Sequence, residues 1–123
     1  LSETSDAMIS LNAAMATDGV VVTIADRAHL KAPVQIVHIA VASSASAFTR
    51  SHVRVGNGAR ATLIESFVAA EGARGYQVHD AVVVSVGDET ELEHVRLMAD
   101  TVDAVNISSE LITVGAKARL NPV

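Results

Sequence analysis

The sequence predicts an all-β chain wound as a parallel β-helix, a solenoid of about four coils, with a short helical segment at its N-terminus. Three observations carry this expectation. Four stretches share one punctuation, Val22-Thr23-Ile24-Ala25, Val53-Arg54-Val55-Gly56, Val84-Ser85-Val86-Gly87 and Ile112-Thr113-Val114-Gly115, at spacings of 31, 31 and 28 residues. Repeats of about 20 to 50 residues mark stacked units that cannot bury their apolar faces singly. Aligned, the stretches form two β-branched columns, Val22, Val53, Val84, Ile112 and Ile24, Val55, Val86, Val114, with polar Thr23, Arg54, Ser85 and Thr113 between them. That period of two belongs to strands rather than helices. Like-on-like columns also require successive coils to run in the same direction, which a hairpin meander does not provide.

Taken in chain order, Ser5 or Asp6 is placed to cap a helix from Ala7 to Ala16, with Met8, Leu11 and Met15 spaced for one apolar face. Asp18-Gly19 then turns the chain into the first strand. Each strand ends at a corner, Ala25, Gly56, Gly87 or Gly115, where glycine is expected to supply a positive φ. A second strand leaves each corner through the columns Ala28, Ala59, Thr90, Ala118 and Leu30, Ala61, Leu92, Leu120, with His29, Arg60, Glu91 and Arg119 pointing outward. Ile36, Phe67 and Met98 are expected to close its far end, and Glu65 to lie beside Arg96. The stretches Ala69 to Tyr76 and Asp100 to Asp103 read as loops between coils. Residues 1–123 thus form one segment of a β-helix domain, with 1–18 as a helical cap and 19–123 as stacked coils.

Composition narrows the function. The 123 residues hold no cysteine, three aromatic side chains (Phe48, Phe67, Tyr76), and 14 acidic against 9 basic residues, for a formal charge of −5. Without cysteine there is no disulfide framework and no thiolate-held zinc or iron–sulfur centre within this segment. An acidic chain with scattered Lys and Arg lacks the basic face that phosphate backbones require, so no nucleic-acid partner is expected. Apolar runs such as Val20 to Val22 fall far short of the roughly 20 residues needed to cross a bilayer, so no membrane partner is expected either. The start at Leu1 suggests a piece excised from a longer protein.

Leu11-Asn12-Ala13-Ala14-Met15-Ala16-Thr17-Asp18-Gly19, then Gly56-Asn57-Gly58-Ala59-Arg60-Ala61 with Glu65, and finally Leu92-Glu93-His94-Val95-Arg96-Leu97 resemble the SUF-system iron–sulfur cluster assembly proteins of the SufB/SufD family, the SufD side more closely. The resemblance implies a right-handed parallel β-helix core. It also implies a non-catalytic cytoplasmic scaffold subunit that joins a SufB-like subunit and a SufC-like ABC ATPase in a SufBCD-type complex. Such a complex handles an iron–sulfur cluster transiently, and this segment would hold no cofactor of its own. No Gly-x-x-x-x-Gly-Lys-Ser/Thr loop occurs in the sequence, so nucleotide hydrolysis would fall to the partner. The family's ATPase-docking helices and interface histidine lie toward the C-terminus, beyond the matching segment, so no family site residue is carried over and no catalytic residue is assigned.

Among the side chains themselves, His94 is the one candidate metal ligand, with Glu93, Glu91 and Asp88 close in sequence. Strand alternation divides that set: Glu91 and Glu93 point away from the face that Leu92 and His94 share. A hydrogen-bonded histidine at the coil wall is the preferred reading, and no metal site is assigned. His29, His38, His52 and His79 fall on separate coils and read as scatter, although a solenoid can bring distant residues together. The serine clusters at Ser43, Ser44 and Ser46 and at Ser108 and Ser109 lack a nucleophile elbow. Glu65 and Arg96 read as a lateral ion pair in preference to the lining of an interior path for sulfur or iron.

Two other function classes compete. A carbohydrate-active β-helix calls for exposed aromatic platforms and paired aspartates on one coil face, for which three aromatics are too few. A structural β-helix that self-associates through its coil ends calls for unpaired terminal strands. A segment that ends in mid-stack would supply these, giving a homodimer of the fragment.

Overall fold

The computed structural model describes residues 7–122. Eight strands follow one helix: α1 (Ala7–Met15), β1 (Val21–Ile24), β2 (Val34–Ala40), β3 (Ser46–Val55), β4 (Arg60–Ala69), β5 (Gln77–Val86), β6 (Glu91–Ala99), β7 (Val105–Val114) and β8 (Arg119–Pro122). They form two four-stranded sheets, ordered β1-β3-β5-β7 and β2-β4-β6-β8. Every strand pairing is parallel. This is the expected solenoid, four strand–corner–strand coils wound through about three turns.

In the first sheet the columns stack as expected: Val22 pairs with Val53, Val53 with Val84, and Val84 with Ile112. Thr23, Arg54, Ser85 and Thr113 are all exposed, while Val53, Val55, Val84 and Val86 are buried in one apolar cluster with Ile24, Ala59, Ala61, Leu63 and Leu92. A smaller cluster, Phe67, Ala73, Tyr76 and Val78, fills the far end beneath the return loops. On the outer face of the second sheet, Arg60 and Glu91 are register partners 3.8 Å apart, with Arg119 next in the column.

The corners correct the reasoning about glycine. Positive φ occurs at the register-equivalent column Arg27, Gly58, Glu89 and Lys117, of which only Gly58 is a glycine. The glycines at Gly56, Gly87 and Gly115 answer a different need. Asp26, Asn57 and Asp88 form a ladder in which each side-chain Oδ1 accepts from the backbone N–H of the next coil, at Asn57, Asp88 and Ala116. A Cβ on Gly87 would lie 2.5 Å from Asn57 Oδ1 and 2.9 Å from its backbone nitrogen. Gly87→Ala is therefore expected to lower unfolding free energy by about 1–3 kcal/mol, as overpacking does. A urea titration checks this, and an unchanged midpoint would mean that the ladder yields freely.

The second sheet departs from the expected columns in its first coil. His29 bridges Arg60, a spacing of 31, but Val34 pairs with Leu63, a spacing of 29. Two extra residues are absorbed around Lys31-Ala32-Pro33, where proline interrupts the ladder. Ile36 consequently lies opposite Glu65, and His38 rather than Ile36 lies opposite Phe67. Met98 pairs with Phe67 as expected but is 54% exposed, so of that register pair only Phe67 helps to close the interior.

Helix α1 packs on β3 and β5. Its anchor is Asn12, which donates from Nδ2 to the carbonyls of Thr49 (2.7 Å) and His79 (3.0 Å) and accepts from Arg50 Nη1. Leu11 and Met15, the expected apolar face, are exposed. Among the described side chains, the Asn12 amide seats this helix on the backbone carbonyls of β3 and β5. Ser5 and Asp6 lie outside the described residues, as does the Met8 side chain.

Candidate functional site

Alternation along the strands decides what enters the solenoid interior. On β4 the inward-facing buried set is Ala61, Leu63, Glu65 and Phe67, with Ser66 on the other face also buried; on β6 the set begins Leu92, His94, and on β5 it includes Asp80, Val82 and Val84. Each strand therefore carries apolar residues near the corner and a charged residue further along. Stacking gathers these into a charged layer between the two apolar clusters.

Glu65 is its hub. Its side chain is 0% exposed, and Oε1 lies 2.8 Å from Nε2 of His94, itself 1% exposed. Arg96 Nη2 lies 3.4 Å from Glu65 Oε2 and 3.1 Å from Asp80 Oδ2. Arg96 Nε lies 3.1 Å from Glu110 Oε1, without the alignment of a hydrogen bond. Thr49 Oγ1 donates to Asp80 Oδ1 at 2.7 Å. His38 Nε2 stands 3.7 Å from Glu65 Oε2 and has no hydrogen-bond partner, with its ring stacked on Phe67 at 4.4 Å and 6°.

A lone carboxylate buried here would be strongly disfavoured. Burial does push the Glu65 carboxyl up, but the His38 and His94 imidazoles and the Arg96 guanidinium outweigh it and bring the pKa down to about 2. Glu65 is then an ionised acceptor, so His94 Nε2 must carry the proton it donates. Burial pushes Asp80 the other way, above the usual carboxylate range, against the Thr49 hydrogen bond and the attraction of His38 and Arg96.

These opposed shifts give a pH test. A depressed carboxyl contributes stability above its unfolded value of 4.5, and that contribution is lost as pH falls toward about 2. A raised carboxyl such as Asp80 binds its proton sooner in the folded state, so its own contribution grows as pH falls. Because the Glu65 charge itself helps to raise Asp80, the test is made in an Asp80→Asn background, where the stability gap caused by Glu65→Gln is expected to narrow on acidification across that window. A gap constant with pH would show that Glu65 is not held ionised.

His94 is thus the hydrogen-bonded histidine of the coil wall that the sequence suggests, but its neighbours are Glu65 and, at 3.7 Å from Nδ1, Glu110. Glu91 and Glu93 are exposed on the other face, and Asp88 is engaged in the corner ladder. The Glu65–Arg96 lateral pair is present, but as part of a larger network. His38 converges on it, contrary to the expected scatter, whereas His29 and His52 remain exposed and His79 stacks on Phe48. The serines serve local structure: Ser43 Oγ accepts from Arg74 N, and Ser108 Oγ donates to Asn106. Sequence reasoning overlooked Asp80, Glu110 and Thr49, and it read His38 as scatter. Asp80 and Glu110 share the inward parity of Val84 and Ile112 on their own strands, a signal that was available.

Two groups of potential ligands result, His38, Glu65 and Asp80, and Glu65, His94 and Glu110, each with ligand atoms within 4.8 Å of one another. Of the first group, His38 also lines a cavity of about 360 Å³, together with Thr49, Ile36 and Tyr76.

Compared with known proteins, residues 38–123 match the family described as SUF system FeS cluster assembly, SufBD core domain. No curated protein and no solved structure matches the chain.

Proposed function

The chain belongs to the SufBD core family of the SUF iron–sulfur cluster assembly system, and on that premise we propose that it is a non-catalytic scaffold segment of a SufBCD-type complex, of SufD rather than SufB character. The observation that carries this reading is the parallel solenoid itself, with its charged side chains turned inward and tied to one another. Such a body offers long sheet faces and edges to partner subunits. The absence of cysteine favours the SufD side, since thiolates for a nascent cluster would then come from a SufB-like sister. The lack of a phosphate-binding loop in these 123 residues supports a scheme in which nucleotide hydrolysis falls to a SufC-like ATPase. The cluster is cargo in this scheme, and the cytoplasm is its setting. No helix among the described residues is long and apolar enough to cross a membrane.

The natural protein carrying this segment is expected to co-purify with an ABC-type ATPase and a cysteine-bearing sister subunit, and its deletion to lower the activity of cellular iron–sulfur enzymes. Pull-downs that return neither partner, with those activities intact, would refute the scaffold reading.

A second reading rests on one feature. The ten-residue strand β7 pairs only with β5, leaving its other edge without a partner among the described residues. Val105, Ile112 and Val114 are exposed along it. A structural solenoid joining end to end through this edge would form dimers or longer species. Light scattering across a concentration series that shows only monomer would reject it.

A further inference from the structure

We propose that the first-coil end of the interior binds a divalent transition-metal cation through His38 Nε2 and one carboxylate oxygen each from Glu65 and Asp80. The three ligands come from three successive coils, on β2, β4 and β5, and their donor atoms lie within 4.8 Å of one another. Metal–ligand bonds of about 2.0–2.2 Å require those atoms to draw in by an ångström or so, within the reach of side-chain torsions.

Four observations support a cation here. His38 Nε2 is shielded from solvent yet has no hydrogen-bond partner, an arrangement that costs free energy unless something else binds it. Its ring is held by the stack on Phe67, which keeps Nε2 turned toward Glu65 at 3.7 Å. Charge is the third: three carboxyl groups, Glu65, Asp80 and Glu110, face a single guanidinium, Arg96, so acidic groups outnumber the fixed cation beside them, an imbalance that a bound cation relieves. Access is the fourth. His38 and Thr49 border the cavity between β2, β3 and the segment 17–20, which hydrogen-bonds along β3 ahead of β1.

Arg96 contacts Glu65 Oε2 and Asp80 Oδ2, and each carboxylate retains further lone pairs for an ion. His94 serves less well as a ligand, because its Nε2 is committed to Glu65. One imidazole with carboxylates and no thiolate selects the Fe²⁺, Mn²⁺, Co²⁺ and Zn²⁺ class over Cu⁺. This site goes beyond the scaffold reading, and partner pull-downs do not bear on it.

Calorimetric titration of the folded chain with Zn²⁺, and absorption titration with Co²⁺, are expected to show one ion bound per chain. His38→Phe retains the ring stack and removes the nitrogen, so it is expected to weaken binding by about tenfold or more, as is Asp80→Asn. His52→Ala, at an exposed histidine, is expected to leave the affinity unchanged. Should His38→Phe not fold, the ¹⁵N shift of His38 Nε2 on Zn²⁺ addition to the parent reads the same bond directly. No saturable uptake by the folded parent, affinity unchanged from the parent in His38→Phe or Asp80→Asn, an unmoved His38 resonance, or a larger loss in Glu110→Gln than in Asp80→Asn would each overturn the site.

Discussion

Replacing Arg96 by leucine is expected to remove about 3–5 kcal/mol of folding free energy, the cost of breaking a buried ion pair by deleting one partner. Arg96 is 19% exposed and is the one guanidinium that reaches Glu65, Asp80 and Glu110 together. With leucine in its place the three carboxylates face one another in a low-dielectric interior, and the Glu65 carboxyl loses one of the groups that holds it near 2. Since folded domains are stable by only about 5–15 kcal/mol, the variant should unfold at much lower urea concentration. The electrostatic origin is tested by a second substitution. Asp80→Asn in the Arg96→Leu background should recover part of the loss, because it deletes a charge that has lost its partner while leaving an acceptor for Thr49. A loss below about 1 kcal/mol would place Arg96 among ordinary surface ion pairs. A full loss without rescue would attribute the effect to packing.

Phe67→Ala is expected to cost a similar amount, about 3–5 kcal/mol, by a different route. Phe67 is 1% exposed and closes the far end of the interior with Ala73, Tyr76 and Val78. One face of its ring stacks on His38, and the Arg96 guanidinium lies 5.5 Å from its centroid. Truncation leaves a void beside Glu65 and admits water to the charged layer. Phe67→Leu, which keeps most of the volume, is expected to recover more than half of the loss in the same urea measurement. The two sites share neighbours, so the double variant Phe67→Ala with Arg96→Leu should lose less than the sum of the singles. Strict additivity would show that the aromatic cap and the ion network are independent.

Both predictions concern residues whose meeting was only partly legible in the chain. The first sheet could be read outright because its spacing of 31, 31 and 28 is carried by β-branched residues in every coil. The Glu65–Arg96 pairing followed from the same arithmetic. The approach of His38 did not, because it depends on two residues absorbed near Pro33, and a column of similar side chains does not reveal where a ladder slips. Glu110 was missed for another reason. Strand parity turns it inward, but it reaches His94 and Arg96 across the interior rather than along a column, and the distance between two sheets leaves no trace in a repeat.

By itself, then, the amino-acid order determined the architecture, since a period of two within strands and a period near thirty between them admit few windings of the backbone. It also limited the chemistry, by omitting cysteine and any phosphate-binding loop. Tertiary structure alone decided which charges share the interior. That outcome depends on how far apart the two sheets lie and on where a single proline shifts their register, and both are set by packing against neighbours distant in the chain.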